Sequence, residues 1–264
     1  TKAGSPYTVT ADLTVPRGQS VAIEPGVEMY FDQHIGMDVY GQITAQGTVT
    51  DSIIFTASDT ALGWYGIRIR KTSLEEEEQA FSYCRFSRHF LVKHIYTENH
   101  GVLRLDSVNN VVLSNCLFTQ NRSARGSGIR AWDTKVSIGE CRFSLNYAID
   151  TNELLVHAIE GVTGSVATFG GYCTLKMKKC LIDNNTSYRA YYDVSDRDAK
   201  GGGAAFIAGS GIFKINDCTF SKNKSQRPSL FASYGQLNNK DSLIMTNCTF
   251  YQNQIQDGFI LSLD

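Results

Sequence analysis

One six-residue motif, Cys-x-Phe-x-x-Asn, recurs along this 264-residue chain and constrains its fold more than any other feature. Complete copies occur at Cys116–Asn121, Cys141–Asn146, Cys218–Asn223 and Cys248–Asn253. Two copies are degenerate: Cys180–Asn185 has Ile182 in place of the aromatic residue, and Cys84–His89 ends in His. Consecutive copies lie 25 to 39 residues apart, which fits one coil of a solenoid with a variable loop.

The spacing within the motif predicts a strand followed by a bend. Cys and Phe are two residues apart, so both side chains point to the same side of an extended strand. The Asn lies three residues further on, where we expect the chain to turn, because a short amide side chain suits a bend. A strand and a bend that recur in this way indicate a parallel β-helix.

Stacked coils would bring equivalent side chains of successive motifs to within about 4.8 Å of each other. The chain has seven cysteines, no Cys-x-x-Cys pair and no Cys/His cluster at zinc spacing, so we expect buried thiols and no metal site. A disulfide between successive thiols stays open. The predicted structural ladders are the thiols Cys84, Cys116, Cys141, Cys180, Cys218 and Cys248, the rings Phe86, Phe118, Phe143, Phe220 and Phe250, and the amides Asn121, Asn146, Asn185, Asn223 and Asn253.

Before the first motif, to about Arg70, the sequence predicts short alternating strands between Pro and Gly residues. These breakers fall every six to ten residues, and the segment has no Asn-Gly or Asp-Gly pair that would favour antiparallel hairpins. Three short strands in each rectangular coil explain this spacing. The apolar pairs that mark the predicted strands are Tyr7 and Val9, Val21 and Ile23, Met29 and Phe31, Met37 and Val39, Ile43 and Ala45, Ile53 and Phe55, and Ile67 and Ile69.

Composition narrows the possible partners. The formal charge of −1 gives no long-range attraction to nucleic acid, so we expect no nucleic-acid partner. No apolar run reaches the roughly 18 residues that span a bilayer, so we expect no direct membrane insertion. A hydrophobic content of 42% is enough for a long continuous core.

Part of the chain resembles known β-helix proteins. The runs Ser5–Val9, Val21–Val27 and Gly63–Ile67 are similar to the opening coils of Bark beetle (Anakonda)-type extracellular proteins. The later Phe-x-x-Asn repeats, with Gly-rich strands such as Gly201–Ala204, resemble those of chlamydial polymorphic membrane proteins. These resemblances imply the pectate-lyase-like fold class: all-β, with a single right-handed parallel β-helix (solenoid) and two or three protruding loops. Residues 1–264 would then form one domain, complete or part of a longer solenoid.

The stretch from Ser187 to Lys200 interrupts the repeat and is the best candidate for a ligand site. Flat amphipathic aromatic rings beside carboxylates are typical of sugar-binding surfaces. The carboxylates would also suit Ca²⁺, which prefers oxygen ligands, and we expect no other cofactor. A polar surface loop with mutually neutralising charges explains the same residues, so both interpretations stay open. The candidate ligand-binding residues are Tyr188, Arg189, Tyr191, Tyr192, Asp193, Asp196, Arg197 and Asp198.

Five Asn-x-Ser/Thr sequons are candidate glycosylation sites in a secreted chain. Three of their Asn residues also belong to the predicted amide ladder, and a laddered side chain is not available to a sugar. Both interpretations stay open for those three. The sequon residues are Asn121, Asn184, Asn185, Asn223 and Asn247.

The sequence favours a scaffold over an enzyme. Asp-Asp and Arg-x-Lys, which accompany polygalacturonase-like hydrolysis, do not occur, and Asn99-His100-Gly101 is a poor match to Gly-His-Gly. We identify no catalytic residue. We predict a non-catalytic extracellular or cell-surface scaffold for adhesion or assembly, which contacts other proteins through its ends or a lateral face and carbohydrate along a lateral face. The alternative is a polysaccharide lyase that acts on a uronate-containing polymer, because a lyase needs only a base and a charge neutraliser.

Overall fold

The computed structural model describes residues 1–70, 78–91, 101–123, 126–150, 165–189, 206–225, 229–233, 241–255 and 259–262. These residues form one short 3-10 helix, Lys2–Gly4, and thirty β-strands. Every strand pair among them is parallel. The predicted all-β parallel β-helix is therefore confirmed.

The strands follow one another in nine successive coils. The first three coils hold β1 (Tyr7–Val9), β2 (Leu13–Val15) and β3 (Ser20–Ile23); β4 (Glu28–Phe31), β5 (Gly36–Val39) and β6 (Gln42–Gln46); and β7 (Ile53–Ala57), β8 (Gly66–Arg70) and β9 (Gln79–Ser82). The next three hold β10 (Cys84–Ser87), β11 (Phe90–Leu91), β12 (Leu103–Asp106) and β13 (Val111–Ser114); β14 (Leu117–Thr119), β15 (Arg122–Ser123), β16 (Ile129–Trp132) and β17 (Lys135–Gly139); and β18 (Arg142–Ser144), β19 (Tyr147–Asp150) and β20 (Ala167–Lys178). The last three hold β21 (Leu181–Asp183), β22 (Thr186–Arg189) and β23 (Phe206–Asn216); β24 (Thr219–Ser221), β25 (Lys224–Ser225), β26 (Ser229–Ser233) and β27 (Ser242–Thr246); and β28 (Thr249–Tyr251), β29 (Gln254–Ile255) and β30 (Phe259–Ser262).

Equivalent strands of successive coils pair into three sheets. The motif sheet has the order β1-β4-β7-β10-β14-β18-β21-β24-β28, and the short sheet has the order β11-β15-β19-β22-β25-β29. The large sheet has two columns, which begin as β2-β5-β8-β12-β16 and β3-β6-β9-β13-β17 and merge where β20 and β23 each run through both. The first three coils have the predicted three strands, and the short sheet adds a further one from β11 onward.

Each motif copy is preceded by one residue in the left-handed backbone region and contains a second one at its fifth position. The bend falls on the residue before Asn and not, as predicted, on Asn itself; Asn is the first inward-facing residue after the bend. Sequence did not mark these positions because several are held by residues that rarely adopt positive φ, such as Leu145 (φ 59°) and Lys179 (φ 53°). At the motif copies, the residues with positive φ are Tyr83, Asn115, Glu140, Lys179, Asp217 and Asn247 before the cysteines, and Arg88, Gln120, Leu145, Asn184, Lys222 and Gln252 before His89 and the Asn residues.

The rings and thiols of the motif stack along the core. Ring centroids are 4.8 Å apart for Phe86 and Phe118, 4.7 Å for Phe118 and Phe143, and 4.9 Å for Phe220 and Phe250. Ile182, which is fully buried, takes the ring position in the coil between Phe143 and Phe220. All seven cysteines are free thiols, and six of them are buried while Cys248 is half-buried. Burial raises the pKa of Cys173 to about 11, so this thiol is protonated at neutral pH.

The Asn side chains form a continuous hydrogen-bonded ladder. Asn185 is fully buried, and its Nδ2 donates to Oδ1 of Asn223 at 3.0 Å and to the main-chain oxygen of Phe143 at 2.9 Å. Its Oδ1 accepts from Nδ2 and from the main-chain nitrogen of Asn146, both at 3.0 Å. The same pattern links Asn121 to Asn146 and Asn223 to Asn253. Each buried amide is thereby satisfied, as burial of a polar group requires.

His89 takes the place of the amide at the start of the ladder. Its main-chain nitrogen donates to Oδ1 of Asn121 at 3.1 Å, and its imidazole is fully buried. Neither ring nitrogen has a hydrogen-bond partner among the described residues. Burial, partly opposed by main-chain groups of Arg122 and Tyr65, lowers the pKa of His89 to about 3, so the ring is neutral near pH 7.

Candidate functional site

The structure places only part of the sequence-predicted ligand cluster. Tyr188 and Arg189 are the last residues of β22 and pair with Ile149 and Asp150 of β19. The other six predicted residues lie outside the described residues, so the sugar-binding and Ca²⁺ interpretations stay predictions; these residues are Tyr191, Tyr192, Asp193, Asp196, Arg197 and Asp198. Among the residues that the structure describes, no group of three or more His, Cys, Asp or Glu side chains is placed to hold a metal ion.

The five sequons fall into two groups by burial. Asn121, Asn185 and Asn223 are fully buried in the amide ladder, where a glycan has no access to the side-chain nitrogen. Asn184 and Asn247 are exposed on the surface, and each donates to an aspartate of the folded chain, Asp183 and Asp217 respectively. Only Asn184 and Asn247 are therefore accessible acceptors in the folded protein.

A second aromatic and charged cluster, which the sequence did not single out, lies on the outer face of the large sheet. Its centre is Trp132 at the end of β16, whose side chain is 46% exposed. Tyr172 of β20 is 44% exposed on the adjacent coil. Its main-chain nitrogen donates to Oδ1 of Asp133 at 2.7 Å, which ties this part of β20 to the bend after Trp132. We refer to Trp132, Tyr172, Asp133 and the charged residues described below as the arginine–tryptophan face.

Two glycines of β20 allow the Trp132 ring to lie flat on the sheet. Gly170 is the register partner of Trp132, and a Cβ atom at Gly170 would lie 2.3 Å from two atoms of the indole ring. Gly171 has a φ of +63°, and a Cβ there would lie 2.2 Å from Oδ1 of Asp133. A larger side chain at Gly170 would displace the ring, and one at Gly171 would displace the Asp133 carboxylate, so the two glycines make room for this arrangement.

Arginines form the neighbouring outward row, two residues before Trp132 along the strand, toward the N-terminal coils. Arg68, Arg104 and Arg130 occupy equivalent register positions on β8, β12 and β16, next to Asp38 on β5. Nη2 of Arg68 donates to Oδ2 of Asp38 at 2.7 Å. The row that contains Trp132 begins with two further charged residues, Arg70 on β8 and Asp106 on β12, at its register positions.

The charged side chains of this face are held close to the sheet. Arg68 and Arg104 have side chains that are 10% and 16% exposed, and Nε of Arg104 lies 2.5 Å from Oδ2 of Asp106. Burial lowers the pKa of Arg104; the carboxylate of Asp106 opposes this shift, whereas the charges of Arg70 and Arg68 add to it. With Arg130 and Asp133 included, the face carries four guanidinium groups and three carboxylates beside one exposed indole ring.

The sequence contains a signal for this site, but the signal can be recognised only once the register between strands of successive coils is known. Apolar-in, charged-out alternation marks Arg68 and Arg70 within β8, and the same two outward positions recur in β12 and β16. The lengths of the intervening loops differ, so the alignment of Asp106 with Trp132 cannot be read from spacing alone.

No helix among the described residues is both long enough and apolar enough to cross a membrane.

Two known proteins share limited similarity with the chain. It is 36% identical over 58 residues to the protein bark beetle of Drosophila melanogaster, a match that covers 22% of this chain and 2% of that protein. The chain therefore spans only a small part of that relative. The alginate lyase from Paenibacillus sp. str. FPU-7 aligns over 93% of this chain and 98% of its own length, with 8% identity and a TM-score of 0.27. A likeness at this TM-score carries no argument about function.

A family model described as a right handed beta helix region matches residues 13–262, which is nearly the whole chain. The match agrees with the three parallel sheets and their coil-by-coil register. The chain belongs to the right-handed β-helix family.

Proposed function

We propose that this protein is a non-catalytic scaffold at the cell surface or in the extracellular space, which serves adhesion or assembly and binds glycans on the arginine–tryptophan face. The observation that carries the proposal is the exposed ring of Trp132, which packs against Gly170 on one side and has Asp106 as its register partner on the other. A β-helix fold by itself does not specify function, so the proposal depends on this site.

The chemistry of the face suits an acidic sugar. An exposed indole offers an apolar surface for the C–H face of a pyranose ring, and its N–H offers a hydrogen bond. Arginines bind a carboxylate in a bidentate manner, and aspartates accept hydrogen bonds from hydroxyl groups. Because Trp132 is held against Gly170, little conformational entropy is lost when a ligand binds.

Isothermal titration with oligosaccharides of a uronate polymer tests the proposal. Loss of the ring in Trp132→Ala is expected to weaken binding about tenfold, because an aromatic contact and its buried area contribute roughly 1.5 kcal/mol. Tyr251→Ala is the matched control, since Tyr251 is also 46% exposed but lies on the motif sheet. Equal affinities for the two variants, or no binding by the wild-type chain to any acidic or neutral glycan, would contradict the proposal.

The alternative function is a polysaccharide lyase, and one observation favours it. Nε of Arg104 lies 2.5 Å from Oδ2 of Asp106 on this face, and a guanidinium beside a carboxylate would supply the charge neutraliser that a lyase needs for the uronate carboxylate. A lyase would increase ultraviolet absorbance during incubation with a uronate polymer, and Arg104→Gln would abolish that increase. Absence of any increase, together with retained glycan binding, favours the scaffold.

A further inference from the structure

A second charged surface lies on the other column of the large sheet. Its outward positions belong to β13, β17, the second half of β20, the second half of β23, and β27. Four of these positions are lysines with exposed side chains, and we refer to them as the lysine face: Lys135, Lys176, Lys178 and Lys214.

The lysine face has no carboxylate of its own. None of the outward positions of these five strand segments is Asp or Glu. Lys176 and Lys214 are direct register partners on adjacent coils, so their side chains are cross-strand neighbours. Like charges in directly opposite positions destabilise a sheet, and folding alone gives no reason to keep them.

A groove and apolar side chains accompany the lysines. A groove of about 480 Å³ lies beside Lys135 and Lys176, and Asn109, Asn110 and Thr174 contribute polar groups to it. Ile212 lies two residues before Lys214, so both side chains are on the same side of β23. Ile244, the register partner of Lys214 on β27, is 46% exposed.

We propose that the lysine face docks a short extended segment of an acidic polypeptide. The lysines supply charge complementarity to Glu or Asp side chains, and Ile212 and Ile244 supply contacts for apolar residues between them. A glycan is the less suitable occupant, because none of the outward positions of these strand segments is aromatic. The five strand segments of the face lie on five adjacent coils and span about 19 Å, the length of about six extended residues, so a peptide of about eight residues covers the face.

Fluorescence anisotropy with a labelled peptide of about eight residues, in which Glu alternates with Leu and Ser, tests this proposal. The double variant Lys176→Glu/Lys214→Glu is expected to weaken binding at least tenfold. Lys222→Glu/Lys224→Glu is the matched control, since it makes the same change of charge at two exposed lysines outside the large sheet, and it should change the affinity less than twofold. The milder Lys176→Gln/Lys214→Gln variant, with a circular dichroism spectrum like that of the wild type, should give an intermediate loss.

Three results would overturn the proposal: no peptide binding by the wild-type chain, an equal loss in the two charge-reversed variants, or tighter binding of a sulfated oligosaccharide than of the peptide at the same lysines. Trp132→Ala should leave peptide binding unchanged. The outcome is therefore independent of whether the arginine–tryptophan face binds glycans.

Discussion

Replacement of the central ladder residue, Asn185→Ala, tests the physical basis of the fold. The change removes four hydrogen bonds, because the amide of Asn185 donates to Asn223 and Phe143 and accepts twice from Asn146. Oδ1 of Asn223 still accepts a hydrogen bond from the main-chain nitrogen of residue 185 at 3.0 Å, so it keeps one of the two hydrogen bonds that Asn185 donates to it. The two N–H groups of Asn146 lose their acceptor in a fully buried place.

The expected loss of stability follows from these two orphaned donors. Each buried donor without a partner costs about 1–3 kcal/mol, so the variant should lose about 4 kcal/mol. That loss is a large part of the 5–15 kcal/mol that typically stabilises a domain. An amide exposed to solvent would contribute far less to the free energy of unfolding, so the size of the loss distinguishes a buried ladder from a surface contact.

Urea unfolding followed by tryptophan fluorescence measures this loss. Asn184→Gly is the control, because Asn184 is the exposed neighbour with a φ of 55° that glycine adopts without strain. The control should lose less than about 1 kcal/mol, as expected for a surface substitution. A loss in Asn185→Ala no greater than that of the control would refute the ladder as a stabilising element.

The other predictions concern acid stability, thiols and glycans. The pKa of His89 is about 3 in the folded state and 6.5 in the unfolded state, so the unfolded chain binds a proton that the folded chain does not. The free energy of unfolding therefore falls by roughly 4–5 kcal/mol as pH decreases from 6.5 toward 3. His89→Asn should remove this pH dependence of stability. A variant whose melting temperature falls with pH as steeply as that of the wild type would contradict the role of His89. A thiol reagent should label none of the six buried cysteines in the native protein, react only with the half-buried Cys248, and label all seven in denaturant. Rapid native labelling of more than one cysteine would contradict the buried thiol row. Folded protein from a glycosylating host should carry glycans at Asn184 and Asn247 only, and a glycopeptide at Asn185 in the folded fraction would oppose this assignment.

The sequence predicted the coils because each inward position of the motif favours one kind of side chain. A stacked ring needs an aromatic residue such as Phe118, and a buried polar ladder needs a side chain that both donates and accepts, such as Asn146. The strand Leu13–Val15 was missed, although its apolar alternation is as long as that of the predicted strand Tyr7–Val9.

The candidate site was beyond prediction for a different reason. A binding surface on a solenoid depends on which residues of different coils share a row, and unequal loops hide that register. Asp106, Trp132 and Gly170 are 26 and 38 residues apart along the chain yet adjacent in the sheet. The predicted cluster from Tyr188 to Asp198 had a stronger local signal, since its aromatic and charged residues are consecutive.

The chain has two tryptophans, and they offer the most direct test of glycan binding on the proposed face. Trp64 is fully buried and donates its Nε1 hydrogen to the main-chain oxygen of Ser87 at 2.9 Å, whereas Trp132 is exposed. A ¹⁵N-edited nuclear magnetic resonance titration with a uronate oligosaccharide resolves both indole N–H signals. We predict that the Trp132 signal shifts in a saturable manner while the Trp64 signal stays in place; a titration in which the Trp132 signal does not move would contradict the account.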